Sequence, residues 1–212
     1  MRCVIISGSP DADVNFIKEQ VLPDDYIICA DKGCEYAFRC GITPSLVVSD
    51  FDSCSQKIFP NCETITLNPH KDDTDTMHAI DIALEHGYSE IVLLGATGGR
   101  LDHTIANLSA LQYISLRGSK GYVLSKTEHI EYLPKGCYNF DGLNGKTFSL
   151  FPFGCGEVCV SYSGVEYPLD HYRLNSAVPM GVSNIFTSDT ALIKIYDGNA
   201  ILIINLQNVN GF

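Results

Sequence analysis

Positive charge is scarce in this sequence. Its 14 Lys and Arg residues face 25 Asp and Glu over 212 residues, which leaves a net charge of −11. A protein that grips nucleic acid or an anionic membrane through its surface needs a basic stripe to neutralise phosphates, and the sequence has none. Neither nucleic acid nor membrane is expected as a partner. If the chain binds a small polyanion, positive charge has to be supplied locally, and metal ions are the simplest source. The sequence also lacks any CxxC pair, any low-complexity tract and any apolar run of membrane-spanning length. Its nine cysteines have no regular spacing that would read as a zinc or a disulfide framework. Cys3, Cys29 and Cys40 sit in or beside apolar runs and read as small hydrophobes, and Cys155 and Cys159 of "CGEVC" as packed thiols. The opening "MRCVIISGSPDAD" reaches a glycine turn and acidic residues too early for a signal peptide. A reducing, cytoplasmic setting is the expectation.

The period of the apolar residues changes part-way along the chain. Up to residue 126, short β-branched runs ("RCVIISG", "YIICAD", "LVVSD", "ETITL", "EIVLLGA") read as strands buried on both faces. They alternate with helical patterns in "EYAFRCG", "TDTMHAIDIALEHG" and "LDHTIANLSALQYIS", the second stopped by Gly87. This half is α/β: a mostly parallel sheet with helices on both faces. From residue 127 to 212 the helical period vanishes, and "TFSLFPFG", "EVCVSYSG", "EYPLDHYRL", "TALIKIYDG" and "AILIINL" are short segments punctuated by glycine. That pattern predicts a C-terminal antiparallel β-sandwich domain.

In an open parallel sheet, ligands collect beyond the carboxyl ends of the strands. Asp31 follows "YIICA", Asp50 and Asp52 follow "LVVS", the "HKDDTD" run (His70 to Asp75) follows "ETITL", and "GATGGRLDH" (Gly95 to His103) follows "EIVLL". Acidic first turns are common, and Asp73 or Thr74 can cap the following helix. Helix capping does not explain why Asp50 and Asp52 reach the same rim as Asp72 and Asp75. Several carboxylates together raise one another's pKa unless a cation offsets them, and Mg²⁺, an oxygen-seeking ion that keeps room for water and phosphate, suits the set. His78, one turn beyond Asp75, reads as structural in such oxygen-rich company.

"GATGGRLDH" opens a helix. Its glycines allow close backbone approach, the helix terminus favours an anion, and Arg100 can fork onto phosphate oxygens. It is neither a GK[ST] phosphate loop nor a GxGxxG fingerprint. Beside an acidic, metal-competent rim it fits a nucleotide phosphate cradle. Asp102 either caps the helix or points into the site as a base or anchor.

The ordered set "ADKGCEYAFRCGITPSLVVSDFDS", "KDDTD", "GATGGRLDHTIANL" and "GVSNIF" resembles the thiamine pyrophosphokinase family over most of the chain. The resemblance implies a catalytic ATP- and magnesium-binding α/β domain over 1–126. It also implies a thiamine-binding and dimerisation sandwich over 127–212, a homodimer, and transfer of a pyrophosphoryl group from ATP to the hydroxyl of thiamine, giving thiamine diphosphate and AMP. It implies Asp50, Asp52, Asp72 and Asp75 as magnesium ligands, and Asp31, Lys71, Thr74, Gly98, Gly99, Arg100 and His103 around the nucleotide. Ser183, Asn184 and Asp102 would lie at thiamine. The family's usual "ADGGAN" is "ADKGCE" here, so Lys32, Cys34 and Glu35 replace small or amide residues. Two alternatives remain open: another magnesium-dependent nucleotide phosphotransferase, and a silent nucleotide- or thiamine-binding regulator.

Overall fold

The structure, a computed structural model, describes residues 1–49, 59, 62–67 and 74–207. The chain divides into two units, Met1–Ser125 and Lys126–Phe212. In the first, chain order is β1 (Arg2–Ile6), α1 (Val14–Gln20), β2 (Tyr26–Ala30), α2 (Gly33–Cys40), β3 (Leu46–Ser49), β4 (Glu63–Thr66), α3 (Asp75–Glu85), β5 (Glu90–Leu94), α4 (Leu101–Leu116) and β6 (Lys120–Leu124).

The strands lie side by side as β4-β3-β2-β1-β5-β6, every pair parallel. The apolar runs become strands because both faces are covered. Val4 and Ile6 of β1 pack with Ile17 of α1 and with Cys34, Ala37 and Cys40 of α2, while the alternating Cys3 and Ile5, pointing the other way, are equally buried. α3 lies against β1, β2, β3 and α4, so the second face has its own helical layer.

Successive strands step outward from β1 on one side, and the chain then returns to place β5 on the other. The order therefore reverses between β1 and β5. A crevice opens at such a reversal because the loops leaving the two central strands diverge to opposite faces. Gly33 brings α2 onto the sheet beside it: a Cβ there would lie 1.8 Å from the carbonyl oxygen of Ile6.

The second unit contains β7 (Glu128–Leu133), β8 (Gly136–Asp141), β9 (Thr147–Pro152), β10 (Glu157–Ser163), β11 (Leu169–Asn175), β12 (Asn184–Ile185), β13 (Thr190–Asp197) and β14 (Ala200–Asn205). Strands β12, β9, β14 and β7 pair antiparallel, as do those of a four-stranded sheet ordered β11-β10-β13-β8. Alternation does the work that continuous runs did in the first unit: along β13, Ala191, Ile193 and Ile195 face inward, and Thr190 and Lys194 face out. The core joins Phe148, Leu150 and Leu202 to Val158, Val160 and Ile193 of the other sheet, with Phe186 closing on Phe148 at 4.5 Å. Among the described residues, no helix is long and apolar enough to cross a membrane.

Candidate active site

A cleft of about 600 Å³ opens in the first unit at the strand-order reversal. Its walls are the loop after β1 (Ser7 to Pro10), the turn after β2 (Asp31 and Lys32), Tyr36 of α2, the start of α3 (Thr74 to Thr76), the loop after β5 and the first turn of α4. The two central loops are tied together. The Ser7 amide donates to Leu94 O at 2.8 Å, Ser9 N donates to Gly95 O at 3.0 Å, and the Ser9 hydroxyl donates to Thr97 O at 2.6 Å. Tyr36 Oη donates to Ser9 O at 2.8 Å, and buried Asn107 donates from Nδ2 to Ala96 O at 2.7 Å. Buried Asn107 and half-buried Ser9 and Tyr36 thus brace the cleft wall, which is what a positioning site requires.

Asp31 sits in the left-handed region, with φ of 50°. A residue with a Cβ adopts that conformation at a cost and mostly where the surroundings impose it, and such strain gathers at functional sites. Asp75 is the first residue of α3; Thr74 precedes it as the N-cap, its hydroxyl accepting from the Met77 amide at 3.2 Å. The Thr74 cap leaves the Asp75 carboxylate at the positive end of the helix, one wall of the same cleft.

Arg100, also on the wall, presents its guanidinium to Asp102, with Nε to Oδ1 at 3.1 Å and Nη2 to Oδ2 at 2.6 Å. The Arg100 hydrogen bonds hold the Asp102 carboxyl well below the usual range, at about 2, against the opposing effect of desolvation. Asp102 therefore stays ionised while this pair is intact, which suits an anchor, and its low pKa makes it a weak proton acceptor. Its Oδ1 also accepts from the His103 amide at 3.0 Å, so it ties down the first turn of α4.

The glycines of this loop are in contact with the loop after β1. Gly99 N donates to Asp11 Oδ2 at 2.6 Å, and Gly98 N donates to Thr104 Oγ1 at 3.3 Å. Both have positive φ, and a Cβ on Gly99 would meet Pro10 Cγ at 2.4 Å. Their first role here is to let two loops close on each other.

The structure thus brings Asp31, Thr74, Asp75, Gly98, Arg100 and His103 to one cleft, with Gly99 and Asp102 immediately beside it. Asp50, Asp52, Lys71 and Asp72 lie outside the described residues. Among the described residues no group of three or more His, Cys, Asp or Glu could hold a metal. The donors that are described, Asp31, Asp75 and the hydroxyls of Ser7 and Thr76, the latter two 3.1 Å apart, are oxygen ligands of the type a hard cation takes. Ser7, Ser9, Tyr36 and Asn107 escape a motif-based reading, because each reaches the site through tertiary packing.

Residues 18–122 match the family model described as thiamin pyrophosphokinase, catalytic domain, and residues 135–198 match thiamin pyrophosphokinase, vitamin B1 binding domain. The chain belongs to the thiamine pyrophosphokinase family. It is 29% identical to thiamine pyrophosphokinase of Bacillus subtilis over 182 residues, covering 83% of this chain and 85% of the relative. To thiamin pyrophosphokinase 1 of Caenorhabditis elegans it is 25% identical over 218 residues, covering 97% and 89%. The crystal structure of the B. subtilis enzyme superposes with a TM-score of 0.87 at 26% identity, over 98% of this chain and 100% of that one. The α/β half followed by an antiparallel sandwich is the architecture expected from the sequence.

The vitamin B1 binding match contains Ser183 and Asn184. Ser183 is exposed with φ of 58°, and its amide donates to Ser149 Oγ at 3.1 Å. Asn184 is buried; its Oδ1 accepts from Tyr167 N at 3.1 Å, and its Nδ2 donates to Tyr167 O at 2.9 Å. The Asn184 amide thus fixes the Tyr167 segment, and Ser183 is the member of the pair turned to the surface.

Proposed function

We propose that this protein transfers a pyrophosphoryl group from ATP to the hydroxyl of thiamine, forming thiamine diphosphate and AMP. The observation that carries this reading is the consecutive match of both halves of the family, catalytic and vitamin-binding, along one chain. Residues 1–126 are assigned the nucleotide and residues 127–212 the thiamine and the homodimer contact, in the cytoplasmic setting expected from the sequence.

Transfer of this kind depends mainly on alignment and charge neutralisation. Asp50, Asp52, Asp72 and Asp75 would hold magnesium, with Asp31 lining the same cleft as Asp75. When bound, the ion supplies charge for the phosphate oxygens. Lys71 and Arg100 bind the triphosphate, and Arg100 offsets charge building toward the AMP leaving group. Thr74 fixes the start of α3, and His103 borders the nucleotide. The Gly98 and Gly99 amides reach a phosphate once Thr104 and Asp11 release them. Asp102 orients Arg100 and is assigned a thiamine contact of its own; Ser183 and Asn184 are assigned to thiamine in the vitamin-binding half.

The test is to measure AMP and thiamine diphosphate formed from ATP, Mg²⁺ and thiamine, with thiamine-free and EDTA controls. Equal amounts of both products, dependent on thiamine and on metal, are expected. Nucleotide turnover without thiamine would replace this reading with a different magnesium-dependent phosphotransferase or hydrolase.

A further inference from the structure

The turn after β2 breaks two local rules at once. Lys32 occupies the N-cap of α2, where a side-chain acceptor is preferred, and it makes no capping hydrogen bond. A lysine there also sets a positive charge at the positive end of the helix. Departures from local preference that a fold keeps in place are expected where function requires them.

The surroundings indicate what Lys32 is for. It lines the cleft and is exposed to it. Gly8, in the loop after β1, makes room for it: a Cβ on Gly8 would come within 3.0 Å of Lys32 Cβ and 3.1 Å of Asp31 Oδ2. The Lys32 stem and the Asp31 carboxylate therefore both pass over the backbone of the β1 loop. Among the described residues lining the cleft, the lysine and arginine side chains are Lys32 and Arg100. The charge of Arg100 is matched by the two-point contact with Asp102, whereas no described residue forms an ion pair with Lys32. A cleft walled by Asp31 and Asp75, in a chain of net charge −11, is short of positive charge for a polyphosphate, and Lys32 adds to what the proposed function draws from Lys71, Arg100 and magnesium.

We infer that Lys32 is a substrate-binding residue whose ammonium contacts the phosphate chain of the nucleoside triphosphate. This rests on the function proposed above. It also explains how "ADKGCE" can stand where the family has small residues: the cleft gains a charge-assisted contact of its own.

The test uses the full-length protein with Lys32→Gln and Lys32→Gly, the latter placing an N-cap-compatible residue at α2, and with Lys32→Arg as the conservative variant. Calorimetric binding of ATP and of inorganic tripolyphosphate, each with Mg²⁺, is compared with binding of adenosine. A charge-assisted hydrogen bond predicts about a 10- to 100-fold loss of affinity for the two polyphosphates in Lys32→Gln and Lys32→Gly. Adenosine binding is expected to be unchanged, and Lys32→Arg to retain most of the affinity. In turnover, KM for ATP should rise while KM for thiamine holds. Wild-type affinity for ATP and tripolyphosphate in either folded variant overturns the inference, and so does an equal loss of adenosine binding. A wild-type protein that binds ATP but forms no thiamine diphosphate removes the functional reading and leaves Lys32 judged on binding alone.

Discussion

Single residues in this chain divide into those whose chemistry is used and those whose chemistry is suppressed. Asp75, proposed as a magnesium ligand, falls in the first group on that proposal. Asp75→Asn should keep the melting temperature, because Thr74 still caps α3, and should lower kcat/KM roughly 10²-fold. Near-normal rates at saturating magnesium would count against its role as a metal ligand. Cys3 and Tyr122 belong to the second group. Burial, helped by the charge of Asp25, pushes the Cys3 thiol from its ordinary 9.0 up to about 12. Burial and the hydrogen bond to Glu90 push Tyr122 from 10.0 to about 12. Both groups are neutral in the fold and ionise earlier once unfolded, so the unfolded chain holds fewer protons at high pH and stability falls as pH rises. Their contribution is full below about pH 9 and lost progressively between there and about 12. Chemical denaturation at pH 8, 10 and 11 should show midpoints moving steadily down; a flat series would contradict the assignment.

At the scale of elements, period and burial decide what can be read from sequence. The continuous runs that became β1, β2, β3 and β5 were legible because parallel strands covered on both faces leave no polar alternation to confuse them, whereas β4, expected to be buried like them, is an edge strand whose Glu63, Thr64 and Thr66 are exposed. Helix α1 was not, since seven residues with a single fully buried side chain, Ile17, give no period. Strand β8 was hidden because it is an edge strand, and its sequence "GCYNFD" mixes turn-forming residues into the alternation. Strands β6 and β7 fell where the period changes. In the site, the carboxylates and the glycine loop stood out as runs of unusual residues. Ser7, Tyr36 and Asn107 did not, because nothing local distinguishes them from ordinary core-edge residues. The contact of α2 with β1 makes a direct test of element packing. Gly33→Ala drives a methyl group to 1.8 Å from a backbone oxygen that cannot move without the strand. Loss of about 3 kcal/mol, or failure to fold, is expected, and an unchanged thermal melt would mean that α2 can lift from the sheet.

At the scale of the whole molecule, the proposed function assigns the nucleotide to the first unit and thiamine mainly to Ser183 and Asn184 of the second, with Asp102 as a further contact, and each segment should report its own ligand. Hydrogen exchange on the intact protein should show ATP with Mg²⁺ slowing exchange over residues 7–11, 31–34 and 95–104. Thiamine should slow it around 182–185. Protection of the sandwich by nucleotide alone, with the cleft loops unchanged, would contradict that division. The 2.6 Å contact between Asp11 and Gly99 has a consequence for how the molecule behaves among the many anions of a cell. The resting protein is its own competitive ligand. If the Gly99 amide serves a phosphate as proposed, an arriving anion is measured against the Asp11 carboxylate that already accepts from it, and a weak acceptor such as chloride would be disfavoured without any gate or lid. On that proposal a chain of phosphates that also engages the cleft's cations would displace it, which makes discrimination a matter of how many contacts an anion makes at once.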